Sequence, residues 1–322
     1  TARQERQAMR PASARCLPNL LGTAPGLHAT CRADDQASDV FCLPGPPGEL
    51  KPMFEQHVLP RLRPPPGRTI VTRLLHIVGI AEADCVVRLG DLLRRDAVPL
   101  VGITASGGIL TLRIRFDGTA EYSRAADLVD QAEARARSEL GEHVFAAGEG
   151  PGQYHLASTV IDLLKGQGQT LSVVESCTGG MLGEMITTVP GSSSGFVGGF
   201  LTYANRMKVS IGVDADLLRE HGAVSPEVAR SMADHGLERS GTDWCLAITG
   251  IAGPDGGSES KPVGTVHIGI ARRNAPTCSR HFLFSGDRAD VRSRSAVSAL
   301  AMLYFALRGR KPREPRLLWQ VG

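Results

Sequence analysis

The sequence predicts an α/β protein, with a C-terminal three-layer α/β/α domain built on a largely parallel sheet. A small α+β module precedes it, and before that lies a segment with too little apolar sequence to be a complete domain. Three observations carry this prediction. From residue 153 onward, short apolar runs alternate with stretches of helical period, the pattern of strands joined by helices that cover both faces of a sheet. The run Val173-Val174-Glu175 passes directly into Ser176-Cys177-Thr178-Gly179-Gly180 and then into Met181, Leu182, Met185 and Ile186 at helical spacing, which is a strand–turn–helix junction. The chain has 322 residues, 42% hydrophobic and 21% charged, enough for two or three domains that each bury a core.

Residues 1–66 are dense in turn signals, among them Gly22-Thr23-Ala24-Pro25-Gly26 and Leu43-Pro44-Gly45-Pro46-Pro47-Gly48, followed by a short helical segment with Met53, Phe54, Val58 and Leu59. Pro64-Pro65-Pro66-Gly67 reads as a linker. Residues 69–148 form the small α+β module, with strands expected at 69–77, 100–106 and 108–116 and helices at 82–93 and 125–140. The glycine-rich stretch 148–152 marks the next boundary. Beyond it the pattern predicts a helix at 156–165, a strand at 171–175, the junction and its helix, a strand at 195–203 and a helix at 205–211. Ser225-Pro226-Glu227 places an N-cap serine before a first-turn proline, opening a helix that runs to Arg239. Strands follow at 244–249, 264–271 and 281–284, and a last helix, capped near Gly286-Asp287, carries Val291, Val297, Leu300, Met302, Leu303 and Phe305. Residues 310–322 are a basic, proline-containing tail, read as solvated.

Composition excludes several classes of function. A net charge of +3, with 36 basic residues scattered among 33 acidic ones, is too weak a field to mark a nucleic-acid partner. Seven cysteines, with no CxxC and no Cys/His pair at zinc spacing, point to free thiols in a reducing compartment, which is the cytoplasm. No apolar run reaches the roughly 18 residues of a membrane span, no signal peptide is apparent, and no metal-ligand spacing exists. The chain begins at Thr1 without a methionine, which reads as a fragment.

In parallel sheets ligands sit at the carboxyl ends of the strands, and five polar, glycine-bearing segments fall at strand or helix ends here. They are 175–180, 191–195, 203–208, 249–257 and 286–288. The first offers N–H groups at a helix start, the hydroxyls of Ser176 and Thr178, and close approach at Gly179 and Gly180, without being a Walker loop or a GxGxxG fingerprint. Read alone, each segment is also an ordinary structural feature. The first is a capped tight turn, 191–195 a flexible serine turn, and Lys208 a solvated helix lysine.

Taken in order, these blocks resemble the CinA family, specifically its C-terminal nicotinamide mononucleotide amidase domain. The resemblance spans 153–309 and rests on Glu-Ser-Cys-Thr-Gly-Gly, Pro-Gly-Ser-Ser, Thr-Tyr-x-Asn-x-x-Lys, His221-Gly222-Ala223-Val224-Ser225, Thr-Gly-Ile-Ala-Gly-Pro-Asp-Gly-Gly, Lys261-Pro262-Val263-Gly264 and Gly-Asp-Arg. It implies hydrolysis of a nucleotide's carboxamide to a carboxylate and ammonia, with no cofactor and no metal, in an enzyme that packs as a homo-oligomer. Such chemistry needs a nucleophile, a base, an oxyanion site and a phosphate anchor. With no histidine placed to serve as base in these motifs, a serine–lysine arrangement is expected. Lys208 is the base, provided burial depresses its pKa from roughly 10.4.

Ser193, matching the second serine of the family's Gly-Ser-Ser, is the preferred nucleophile, with Ser176 the alternative and Ser194 a further ambiguity. Thr249 is expected to present its hydroxyl to the carboxamide or ribose. Thr178, Gly179, Gly180, Tyr203, Asn205, Gly250 and Gly253 are expected to bind substrate. Arg288 and, one turn on, Arg292 are placed to anchor a phosphate. Asp255 and Glu259 shape the glycine loop, and Cys177 is a packing residue. This chain departs from the family's Asn-Glu-Ala-Lys by carrying Asn205-Arg206-Met207-Lys208, an arginine for an acid near the base. Residues 17–62 resemble the end of the family's molybdopterin-binding-like α/β domain, and 69–148 its KH-like middle module. With the first half of that α/β domain missing from the chain, no ADP-ribose pyrophosphatase activity is expected. The competing reading is a non-catalytic, nucleotide-binding protein associated with competence.

Overall fold

The computed structural model describes residues 9–33, 36–62, 67–311 and 314–321. The chain divides into two compact units, Thr1–Arg68 and Thr69–Gly322. The expected linker at Pro64-Pro65-Pro66 and the start at Thr1 lie outside the described residues.

The first unit is a three-stranded antiparallel sheet of β1 (Arg15–Leu17), β2 (Gly26–Ala33) and β3 (Gln36–Cys42), followed by α1 (Pro47–Met53), whose chain continues into π and 3₁₀ turns through Arg61. Asn19 Nδ2 ties the turn before β2 to Glu49 Oε2 at 2.6 Å. Among the described residues its buried apolar side chains are Ala14, Leu17, Met53 and Val58. The β2–β3 hairpin was not legible as strands because both of its faces are largely exposed, so no polar/apolar alternation marks it.

The second unit opens with an antiparallel sheet in the order β5-β6-β4-β7, built from β4 (Thr69–Val78), β5 (Leu100–Ser106), β6 (Ile109–Gly118) and β7 (Val144–Ala147). Helices α2 (Glu82–Leu89) and α3 (Tyr122–Leu140) cover one face. Leu75, Ile77, Leu112 and Ile114 meet Ala125, Val129, Ala136 and Leu140 there, all buried. This is the expected α+β module, with β7 added. It packs onto the rest of the unit through the last helix, where Tyr304 Oη donates to Glu142 O at 2.8 Å and His143 meets the Phe305 ring edge-on.

The larger sheet has the order β13-β12-β11-β10-β8-β9, from β8 (Leu171–Glu175), β9 (Phe196–Leu201), β10 (Trp244–Gly250), β11 (Thr265–Arg272), β12 (Cys278–Leu283) and β13 (Gln320–Val321). On one face lie α4 (Gly152–Gly166), α5 (Met181–Thr187) and α9 (Arg288–Leu307). On the other lie α7 (Ala215–His221) and α8 (Pro226–Ser240). The three-layer α/β/α architecture therefore stands, with α7 an addition to the expected elements.

One part of the expectation is corrected. The sheet is parallel only where β8 joins β9 and β10, while β10–β11, β11–β12 and β12–β13 are antiparallel. The reason is connection length: β8→β9 and β9→β10 pass through helices, but residues 251–264 and 273–277 are loops with no helix to carry the chain back to the far edge. The tail is not wholly solvated either, since Leu317 is 5% exposed and β13 pairs with β12 as the edge strand.

The register aligns the parallel strand ends. Glu175 pairs with Leu201 on one side and Ile248 on the other, so the residues following β8, β9 and β10 emerge together at one edge. Two helix starts behave as the sequence reads them. Ser225 Oγ accepts from Val228 N at 3.3 Å, and Asp287 and Asp290 form a reciprocal capping box at the start of α9.

Candidate active site

The turn after β8 accounts for nearly all of its backbone N–H groups internally. Ser176 N–H donates to Ile248 O, Gly179 N–H to Ser176 O, and Met181 N–H to Thr178 O. Glu175 takes three more: its Oε2 accepts from Gly180 N at 3.0 Å and Leu182 N at 3.1 Å, and its Oε1 from Gly183 N at 2.8 Å. A left-handed backbone at Gly180 (φ 97°) turns these donors inward, a conformation glycine adopts without strain. The start of α5 is thus filled by a buried side chain of the protein, and the Gly180 donor expected to face a ligand is already used.

Lys208 lies on the short helix α6 (Asn205–Ser210) and is only 1% exposed. Its Nζ is 3.0 Å from Ser176 Oγ, 2.8 Å from Thr202 O and 3.3 Å from Tyr203 O. No carboxylate among the described residues pairs with it, and burial holds its pKa below the ordinary lysine value. An ammonium withdrawn from water loses several kcal/mol of solvation, and neutral partners offset only part of that. Lys208 Nζ donates to both carbonyls and to the Ser176 hydroxyl oxygen, and burial disfavours its charged form.

The cleft over this pair has a volume of ≈ 270 Å³ and is lined by Ser176, Cys177, Tyr203, Asn205, Lys208, Thr249, Gly250, Gly253, Asp255 and Arg288, together with the Ala223–Val224 backbone region. A second lobe of ≈ 540 Å³ shares Gly253 and Arg288 with it and continues over Gly286, Asp287 and Arg292 at the N-terminus of α9. Arg288 bridges the boundary, donating from Nη1 to Gly253 O at 2.8 Å and from Nη2 to Tyr203 Oη at 2.9 Å. Thr249 is buried and donates its hydroxyl proton to Ala223 O at 2.7 Å, so it offers a ligand lone pairs only. At Gly250 a Cβ would lie 2.8 Å from Thr265 O, which explains why a glycine lines the cleft there.

Several sequence expectations are corrected by this geometry. Ser193 is not at the cleft. It sits exposed in a 3₁₀ turn before β9, whereas Tyr203 and Lys208 follow that strand's other end. Six strand residues at about 3.3 Å each put the two ends on the order of 15 Å apart. Ser194 is equally remote, its Oγ donating to Gly191 O.

The Thr178 side chain is fully buried, with Oγ1 unpartnered, and lines neither lobe, and Gly179 and Gly180 line neither. Arg292 reaches the second lobe, but its Nε and Nη2 are committed to Thr178 O at 3.1 and 2.7 Å. Glu259 is exposed and lines neither lobe. The packing reading of Cys177 suits its burial, which pushes its thiol up to about 12 and keeps it protonated at neutral pH. Glu175 opens the first motif but was given no role; the signal for one was a charged residue ending an otherwise apolar strand just before a glycine turn.

These features define an α/β protein that buries a hydroxyl–amine pair at the carboxyl edge of the parallel half of its sheet. The chain belongs to the CinA family. Residues 153–307 match the CinA C-terminal domain and residues 72–146 the damage-inducible protein CinA KH domain. A competence-damage inducible protein from Symbiobacterium thermophilum is 45% identical over 319 residues, covering 94% of this chain and 72% of the relative. A CinA-like protein from Parasynechococcus marenigrum is 42% identical over 92% of this chain and 68% of its own length. Among solved structures, that of competence/damage inducible protein CihA from Agrobacterium tumefaciens is 38% identical, with a TM-score of 0.48, and covers 50% of this chain and 99% of its own. Among the described residues no helix is long and apolar enough to cross a membrane.

Proposed function

We propose that the chain is an amidohydrolase that removes the carboxamide nitrogen of nicotinamide mononucleotide, with Ser176 as nucleophile and Lys208 as base. The observation that carries this reading is the 3.0 Å contact between Lys208 Nζ and Ser176 Oγ in a site where burial favours the neutral amine. Lys208 takes the Ser176 proton as Oγ bonds to the carboxamide carbon, and the carbonyl oxygen becomes a tetrahedral oxyanion. Lys208 returns the proton to the amide nitrogen, the C–N bond breaks, and ammonia leaves an acyl-serine ester. A water then attacks that ester while giving a proton to Lys208. The proton passes back to Oγ as the ester bond breaks, releasing the carboxylic acid and restoring serine.

The division of the groove into two lobes supports a substrate with two chemically distinct ends. The carboxamide occupies the Ser176 lobe. The phosphate faces the second lobe, where the guanidinium of Arg288 supplies positive charge. Tyr203, Asn205 and Asp255 line the Ser176 lobe. The reading is tested by measuring ammonia released from nicotinamide mononucleotide by the full chain, with Ser176→Ala and Lys208→Ala as controls checked for folding. Binding of the nucleotide without ammonia release would leave the non-catalytic reading in its place.

A further inference from the structure

The turn that carries Ser176 is held from two sides by opposite charges that do not touch each other. From below, the carboxylate of Glu175, itself 1% exposed, accepts from Gly180, Leu182 and Gly183. From α9, the Arg292 guanidinium puts Nε and Nη2 on the single carbonyl of Thr178. Hydrogen bonds to ionised groups are about twice as strong as neutral ones, so both grips are stronger than an ordinary turn contact. The Ser176 end is fixed as well, by its N–H on Ile248 O. The peptide units from Ser176 to Gly180 are therefore pinned between three anchors.

We infer that Glu175 and Arg292 are positioning residues that hold the 176–180 turn so that Ser176 Oγ stays within reach of Lys208 Nζ. The inference rests on the amidase reading above. It reassigns Arg292, which by sequence alone is a phosphate ligand, to a role exercised through the backbone of Thr178. It also explains why a charged residue ends a fully buried strand: the Glu175 carboxylate substitutes for the anion that the start of α5 would otherwise attract.

The two roles of Arg292 separate by substrate. A phosphate ligand matters only when the substrate has a phosphate, and its loss raises KM. A positioning residue matters equally for the nucleotide and for the corresponding nucleoside, nicotinamide riboside, and its loss lowers kcat. For Arg292→Ala in the full chain we expect kcat to fall about 100-fold on both substrates, the cost of misplacing the attacking serine, with KM little changed. Added guanidinium should restore part of the rate. Glu175→Gln, which replaces one accepting oxygen by an NH₂ group, should lower kcat in the same sense. A rise in KM confined to the phosphorylated substrate, with kcat intact, would overturn the assignment.

Hydrogen exchange across residues 176–183 gives a readout that does not depend on turnover. Faster exchange in Arg292→Ala than in the wild type is expected, and unchanged exchange would refute the clasp even if activity fell. If the wild type itself releases no ammonia, the amidase reading fails, and the exchange comparison still decides whether the clasp holds the turn.

Discussion

The turns at residues 176–180 and 191–195 are alike in composition and opposite in circumstance. Both are short, rich in hydroxyls and bounded by glycine, and they adjoin neighbouring parallel strands. The first follows the carboxyl end of β8 and is buried against Lys208. The second precedes the amino end of β9 and is exposed, with Ser194 satisfied by its own turn. A serine hydroxyl is a weak nucleophile until a base takes its proton, and a lysine is a base only where solvent does not stabilise its charge. At one end of the strand pair a buried lysine stands beside the serine hydroxyl, while at the other the serines are exposed. Hydroxyl count and glycine content therefore say little about which turn does chemistry, whereas burial and a partner amine say a great deal.

The sharpest way to break this comparison is to remove each hydroxyl in turn. Ser176→Ala should lower kcat by a factor on the order of 10⁴ or more, as loss of an attacking serine does elsewhere. Ser193→Ala should leave ammonia release within about twofold and stability within about 0.5 kcal/mol. Comparable losses from both variants would abolish the distinction. Removing the base comes next. Lys208→Met should cost about 10²–10⁴ in kcat, the range for a positioned general base.

The pH profile carries the same information. The proposed mechanism needs neutral Lys208, so the rate should rise with pH through the lysine's pKa, which burial places below the ordinary value. A profile that rose only in the range of an unperturbed lysine would show Nζ to be solvated and the comparison misplaced. A smaller effect is expected from Thr249→Val, which deletes the proton donated to Ala223 O. Losing one neutral hydrogen bond should cost about 1 kcal/mol of stability, and Thr249→Ser should recover much of it, as read by chemical denaturation. No change at all is expected on chelation, since neither proton transfer nor serine attack in the proposed mechanism uses a metal. A strong loss of ammonia release with chelator would point to different chemistry.

Much of the fold was legible because its signals are local. The apolar run of β8, the cap Ser225-Pro226 and the capping residues before α9 each depend on neighbours within a few positions, and the structure has all three. The antiparallel half of the large sheet was not legible, since strand direction follows from where a loop returns the chain and not from the strand's own residues. The β2–β3 hairpin escaped for another reason: exposed on both faces, it carries no period-two pattern. At the site, Lys208 and Ser176 were both identifiable as candidates, but their ranking was not, because a residue's value as base or nucleophile depends on distance and solvent.

The sequence by itself determined that this is an α/β chain of the CinA family, with its polar segments at strand and helix ends, because hydrophobic period, caps and ordered motifs are properties of contiguous residues. Only the tertiary structure decided that Ser176 rather than Ser193 meets Lys208, that Glu175 fills the start of α5, and that Arg292 grips a backbone carbonyl. Those contacts join residues up to 114 positions apart. Burial at the parallel strand ends is what makes them strong, by excluding the water that would otherwise solvate each charge separately.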